Sequence, residues 1–274
     1  MKFRAIALDL DGTLLDPQLQ ILSANQQALQ QARARGIEVL LVTGRHHIAT
    51  RAYHHQLGLD TPAVCCNGIY LHDFQTDAPL RGDPLTPPER LALLALTRRE
   101  GLHALAYLDD RFCFESADEP VLAGVMAWAQ SVPAPLRPIF EQVADLQPVL
   151  ASAPRVWKLA VSLPDPARLP AIADEVAHSL GLGGVQTGPG RLDIGRAGHS
   201  KASGLGAWLA VRGIDPAEVI AFGDNHNDIS MLQLAGHGVA MAGAPAELQA
   251  VADEVCGAHD TPAIAAVLQR LLAL

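Results

Sequence analysis

Two carboxylates one residue apart, Asp9 and Asp11, stand at the end of an apolar run from Phe3 to Leu8 that only Arg4 interrupts. The run reads as a buried parallel strand. Side chains alternate along a strand, so both acids face the same way while extension lasts. Gly12 then lets the chain turn off the sheet. Acids this close repel unless a cation or a shared proton relieves them. One such pair is also what a solvated Asp-Gly turn looks like, so the weight rests on three further stretches. Thr43-Gly44, Ser200-Lys201 and the run from Gly223-Asp224 to Asn227-Asp228 each fall at a strand end or a helix start. Asp9, Asp11 and Asp224 together make an oxygen-rich set of the kind Mg2+ takes, with water and substrate completing its octahedron. The Thr43 hydroxyl and the backbone N–H groups after it suit a phosphate oxygen, and Lys201 adds positive charge.

The elements that must position these groups alternate. Helical spacing of Ala24, Ala28, Leu29 and Ala32 after Ser23 predicts a helix closed by Gly36. Ile37–Val42 is a strand, His46–Leu57 a helix and Ala63–Cys66 a strand, followed by the turn signal Asn67-Gly68. Strand–helix repetition implies right-handed crossovers and a Rossmann-like, doubly wound parallel sheet, an α/β fold whose ligands sit at the carboxyl edge. The character changes near Arg81, where Asp83-Pro84 and the capping box Thr86-Pro87-Pro88-Glu89 open a stretch of mixed hairpins and helices. The parallel pattern resumes with the helix from Ser200 and the strand Val219–Phe222. The expected organisation is a core of residues 1–82 and 191–274 with an inserted α+β cap at 83–190.

The chain has 274 residues, 49% of them hydrophobic and 18% charged, enough for such a core and insertion. A net charge of −9 argues against a general binder of nucleic acid or anionic membranes. It leaves room for a small anionic substrate, because a local site on an acidic protein can be positive. Cys65, Cys66, Cys113 and Cys256 show no C-x-x-C spacing, so reduced thiols and a cytoplasmic setting are expected. The sequence enters its first strand directly and has no apolar run of membrane-spanning length, so neither a signal peptide nor a membrane association is expected. The oligomeric state is not legible.

The four motifs, in this order, resemble those of the haloacid dehalogenase superfamily of phosphotransferases. An insertion between Thr43 and Lys201 is similar to the Cof-type subclass, whose α/β cap follows the second motif. The likeness extends to Thr43-Gly44-Arg45-His46-His47, Cys65-Cys66-Asn67-Gly68, Tyr107-Leu108-Asp109-Asp110, Val156-Trp157-Lys158 and Asp228-Ile229-Ser230-Met231-Leu232. These stretches are similar to the pyridoxal phosphate phosphatases of that subclass, and the likeness is loosest at 116–155 and 164–190.

The resemblance implies that Asp9 attacks phosphorus and forms an aspartyl phosphate. Asp11 then serves as general acid and afterwards as base toward water. It implies Mg2+ on Asp9, the Asp11 backbone oxygen and Asp224. Thr43, the Leu10 and Gly44 backbone, Lys201 and Asn227 would hold the phosphoryl oxygens. The expected reaction is hydrolysis of a small phosphate ester, pyridoxal 5'-phosphate first, with a broader sugar-phosphate phosphatase as the alternative enzyme. A phosphate-binding or regulatory module is the non-enzymatic alternative, against which Asp11 stands, since a binder needs no second acid.

Asp228, Arg45, His46, Asn67, Tyr107, Asp109, Trp157 and Lys158 are expected behind the ligands or around the substrate. Each has a plainer reading. His46-His47 and His54-His55 share one helix without clustered acids, the pattern of a solvated face, although His46 lies near enough to Thr43 to reach a substrate. Tyr107 and Trp157 suit stacking on a pyridine ring but more simply pack. Lys158 reads most simply as a surface lysine, and Cys65 and Cys66 as core.

Overall fold

The computed structural model describes residues 2–118, 120–163 and 165–274. It divides into two compact units. The first comprises Met1–His47, Tyr53–Arg81 and Ser200–Leu274; the second comprises Ile48–Ala52 and Gly82–His199.

The chain begins with β1 (Ala5–Leu8), α1 (Ser23–Ala34), β2 (Glu38–Val42), α2 (His47–Gln56), β3 (Ala63–Cys65), β4 (Tyr70–Asp73) and β5 (Ala78–Gly82), all in the first unit except Ile48–Ala52 of α2 and Gly82 of β5. The second unit holds α3 (Pro87–Arg99), β6 (His103–Leu108), β7 (Phe112–Phe114), α4 (Pro120–Ser131), β8 (Phe140–Gln142), α5 (Leu146–Ser152), β9 (Val156–Ser162), α6 (Leu169–Leu180), β10 (Leu182–Gly188) and β11 (Arg191–Arg196). The chain returns to the first unit through α7 (Lys201–Arg212), β12 (Val219–Gly223), α8 (Ile229–Leu234), β13 (His237–Ala240), α9 (Ala246–Gln249), β14 (Glu254–Val255) and α10 (Ala263–Leu272).

The first sheet has the order β14-β13-β12-β1-β2-β3-β4-β5. It is parallel from β14 to β3, and β4 runs antiparallel to β3. All four residues of β1 and all five of β12 are buried, as a strand covered on both faces requires. On one face Ala5, Ala7, Leu40, Val42, Val64 and Ala221 pack with Leu205, Trp208 and Leu209 of α7 and Met231 and Leu232 of α8. The Ser200 hydroxyl accepts from Ser203 N, so the residue before Lys201 caps α7 as its position predicts.

The second unit is a six-stranded sheet, β10-β11-β9-β6-β7-β8, backed on one side by Leu93, Leu94 and Leu96 of α3 and Ile172 and Val176 of α6. The Thr86–Glu89 capping box forms as the sequence suggests. The boundary expected at 190/191 falls between β10 and β11, which pair with each other antiparallel, so the second unit runs on to His199. A strand cannot be parted from its ladder partner without orphaning its backbone groups.

Candidate active site

Asp9, Thr43 and Asp224 each stand one residue beyond the last of the strands β1, β2 and β12. The register pairs Leu8 with both Leu41 and Phe222, so these three adjacent strands end together. Asp9 N–H donates to the Phe222 carbonyl at 3.1 Å and Thr43 N–H to the Val64 carbonyl at 2.9 Å, which fixes both residues to the sheet edge. Gly12 lies in the left-handed region (φ 77°), and a Cβ there would collide with the Asp224 carboxylate, so only glycine fits on both counts. Thr13 Oγ1 donates to Asp224 Oδ1 at 3.0 Å.

Lys201 is 1% exposed and links two of the acids. Its Nζ lies 2.6 Å from Asp9 Oδ1 and 2.6 Å from Asp228 Oδ1. Burial alone would lower the ammonium pKa; the charges of Asp228 and Asp9 outweigh it and raise it. Asp228, 0% exposed, spends its other oxygen on the backbone N–H groups of Asp224 and Asn225, each at 3.1 Å. It is therefore the anchor of the loop and of Lys201. Burial pushes the Asp9 carboxyl well above the ordinary carboxylate range; Asp228 and Asp224 add to that and Lys201 opposes it. Burial likewise raises Asp224, with Asp228 adding.

The arrangement is short of positive charge. Asp9, Asp224 and Asp228 each bring a carboxylate oxygen within 4.8 Å of the others. Three carboxylates against one ammonium leave two negative charges, which a divalent cation would balance. With both Asp228 oxygens committed, Asp9 and Asp224 are the side chains left to ligate it.

Asp11 is turned toward Arg45. Nε of Arg45 donates to Oδ2 at 2.6 Å and Nη2 to Oδ1 at 2.5 Å. Burial alone would raise the Asp11 carboxyl, but these hydrogen bonds and the charges of Arg45 and Lys201 hold it below its ordinary value. The Arg45 guanidinium also sits 5.2 Å from the Tyr53 ring centroid. Thr43 Oγ1 accepts from Arg45 N–H at 3.0 Å, so its own proton is left to donate.

Cys66 and Asn67 are two consecutive non-glycine residues in the left-handed region (φ 50° and 56°), both buried. Such backbone costs on the order of 1–3 kcal/mol per residue and persists only where its surroundings enforce it. Here Cys66 N–H donates to the Arg45 carbonyl and Asn67 N–H to the Thr43 carbonyl, both at 3.0 Å. Asn67 Oδ1 accepts from Asn227 Nδ2 at 2.9 Å. Gly68 follows at φ 93°, where a side chain would strike the Ser200 carbonyl. The Asn-Gly dipeptide signals this turn, but nothing local in the sequence signals the bond between Asn67 and Asn227.

Among the other expected residues the structure makes corrections. The histidine helix is not a solvated face: His46, His47 and His54 are buried and only His55 is exposed. His47 stacks on His72 at 3.7 Å and 11°, and His54 lies 4.2 Å from Phe74, so the imidazoles pack as aromatic rings. His47, His72 and Asp77 also bring donor atoms within 4.8 Å of one another. One ion cannot lie in the planes of two stacked rings, so this group is packing rather than a metal centre. Lys158 is not a surface lysine. It is 2% exposed, paired with Asp193, and its Nζ lies 4.3 Å from the Tyr107 ring centroid. Trp157 is 1% exposed and so packs, leaving no open face for a ligand ring. Asp109 accepts from Arg155 at 2.8 Å.

The family model for haloacid dehalogenase-like hydrolases matches residues 6–268. The chain belongs to that family, and within it to the phosphatases. It is 41% identical over 265 residues to pyridoxal phosphate phosphatase YbhA of Escherichia coli, covering 97% of each chain. It is 26% identical, over 98% of each chain, to the 5-amino-6-(5-phospho-D-ribitylamino)uracil phosphatase YwtE of Bacillus subtilis. Among solved structures, a haloacid dehalogenase-like hydrolase from Bacteroides thetaiotaomicron matches with a TM-score of 0.86 at 25% identity, over 98% of this chain and 100% of that one. No helix among the described residues is long and apolar enough to cross a membrane.

Proposed function

We propose that the protein is a Mg2+-dependent phosphomonoesterase that works through an aspartyl phosphate on Asp9, with pyridoxal 5'-phosphate as its substrate. The observation that carries the reading is Lys201 held between Asp9 and Asp228 beside Asp224. That is a nucleophile already paired with the cation that would accompany it through the reaction. Asp9 and Asp224 side chains with the Asp11 backbone oxygen would hold Mg2+, which supplies charge neutralisation of carboxylate and phosphate together.

Asp9 attacks phosphorus and the bond to the ester oxygen breaks. Asp11 gives that oxygen its proton, then takes one from the water that releases phosphate from Asp9. Thr43, the Leu10 and Gly44 N–H groups, Lys201 and Asn227 receive the phosphoryl oxygens. Phosphate-monoester hydrolysis needs enhancements of up to ~10²¹, so several such terms must act together. Asp11 separates this reading from a phosphate-binding module, which has no use for a proton donor beside the nucleophile.

Substrate choice is assigned to the inserted second unit, which runs from Gly82 to His199. The choice of pyridoxal phosphate rests on the 41% identity to the Escherichia coli enzyme across nearly all of both chains. The cytoplasmic setting rests on four cysteines that show no C-x-x-C spacing, and the exclusion of nucleic acid on the net charge of −9. A panel of phosphate esters, with and without Mg2+, tests the reading. Highest kcat/KM on pyridoxal phosphate, dependent on Mg2+, is expected. A sugar phosphate preferred tenfold would move the protein to the broader class, and no turnover on any ester would leave only the binding module.

A further inference from the structure

We propose that Asn67 is a positioning residue for phosphate: it holds the Asn227 carboxamide and braces the Thr43–Gly44 loop, so that two phosphate-binding segments from opposite ends of the sequence act as one. The proposal rests on the phosphatase reading and adds to it a residue that acts through another.

Three observations point the same way. Asn67 Oδ1 accepts from Asn227 Nδ2 at 2.9 Å, across 160 positions of sequence. That bond uses one amide hydrogen of Asn227 and fixes the direction of the other. The Asn67 side chain also lies across Gly44, where a Cβ would stand 3.2 Å from Oδ1 and 3.3 Å from Nδ2, a wall against movement of that glycine. The Asn67 N–H holds the Thr43 carbonyl at 3.0 Å from the other side.

The backbone explains the residue type. At φ 56°, ψ 36°, Asn67 is left-handed, and asparagine is one of the few side-chain-bearing residues that adopts this conformation readily. It is also 5% exposed, so its amide is sheltered from competing water. A glycine would serve the turn equally well; the carboxamide serves the neighbouring loops.

The same fact supplies a clean test. Asn67→Gly keeps the left-handed backbone and removes only the side chain. Asn67→Asp tolerates the same conformation and keeps an oxygen to accept from Asn227. The measurement is inhibition by inorganic phosphate in the presence of Mg2+, for the parent, N67G, N67D and each combined with Asn227→Ala, with melting temperatures alongside.

N67G is expected to weaken phosphate binding about tenfold with little change in melting temperature. N227A should cost about tenfold in the parent and in N67D, but less than twofold in N67G, where its orientation is already lost. Charge repulsion from N67D appears with and without Asn227 and so cancels in that comparison. Equal N227A losses in all three backgrounds, or N67G binding phosphate like the parent, would overturn the proposal and leave the phosphatase reading intact. A parent protein that binds no phosphate would overturn both.

Discussion

Arg45 grips Asp11 with a two-pronged contact, Nε to Oδ2 at 2.6 Å and Nη2 to Oδ1 at 2.5 Å, so both oxygens of the proposed general acid are held by one guanidinium. Arg45 is in turn held by the face of Tyr53 and by its own N–H on Thr43 Oγ1. The contact sets where the Asp11 carboxylate stands, and protonation of a leaving group requires it to open. Arg45→Gln is expected to lower kcat by roughly 10–100-fold through misplacement of Asp11. Arg45→Lys keeps the charge but not the planar fork and should fall between. Steady-state kinetics on an aryl phosphate measures this, and an unchanged kcat in R45Q would deny Arg45 a part in placing Asp11.

Asp228 makes no contact with phosphate in this account, yet its loss should be costly. Removing it leaves Lys201 buried with only Asp9 as partner and orphans the N–H groups of Asp224 and Asn225. Breaking a buried pair in this way costs about 3–5 kcal/mol. Asp228→Ala is therefore expected to lower the urea midpoint markedly as well as activity. A variant as stable as the parent would show that the loop finds other partners.

Acid should destabilise the fold through His54. Its Nε2 donates to the Thr61 carbonyl at 2.7 Å in a buried setting. Burial lowers its pKa; the Thr61 bond, Asp60 and Asp73 oppose that, while Arg33 reinforces it. The unfolded chain, with an ordinary value near ~6.5, takes the proton first. Stability is thus unaffected by this group above ~6.5 and falls as pH drops from there toward the folded pKa. Urea unfolding between neutral and mildly acid pH should show a smaller loss in His54→Gln than in the parent. Equal losses would place the titration elsewhere.

The parts of the site that sequence revealed are those with a local cause. Asp9, Thr43 and Asp224 follow apolar runs, so the strand pattern delivers them to one edge, and the capping residues Thr86 and Ser200 mark their helices in the same local way. What stayed hidden depends on partners far along the chain. Lys158 reads as a surface lysine until Asp193 and Tyr107 are beside it. The polar composition of α2 suggests solvent, whereas His47 stacks on His72 and His54 packs at a tilt against Phe74 of the following segment. Arg45 shows its charge in the sequence but not its hold on Asp11, because a pair 34 positions apart has no periodic signature.

The central claim is that phosphorus passes through Asp9, and trapping that intermediate tests it most directly. Asp9→Asn nearly preserves volume and removes one of three crowded negative charges, so the fold should survive while turnover is lost. Asp11→Asn should still form the intermediate from an aryl phosphate, whose leaving group needs little help, but release it slowly. Acid quenching after incubation with radiolabelled aryl phosphate and Mg2+, followed by peptide mapping, locates the phosphoryl group. The expected result is label on the peptide containing Asp9 in the Asp11→Asn protein, dependent on Mg2+ and absent from Asp9→Asn. Turnover in Asp9→Asn within tenfold of the parent, or label on a peptide without Asp9, would contradict it.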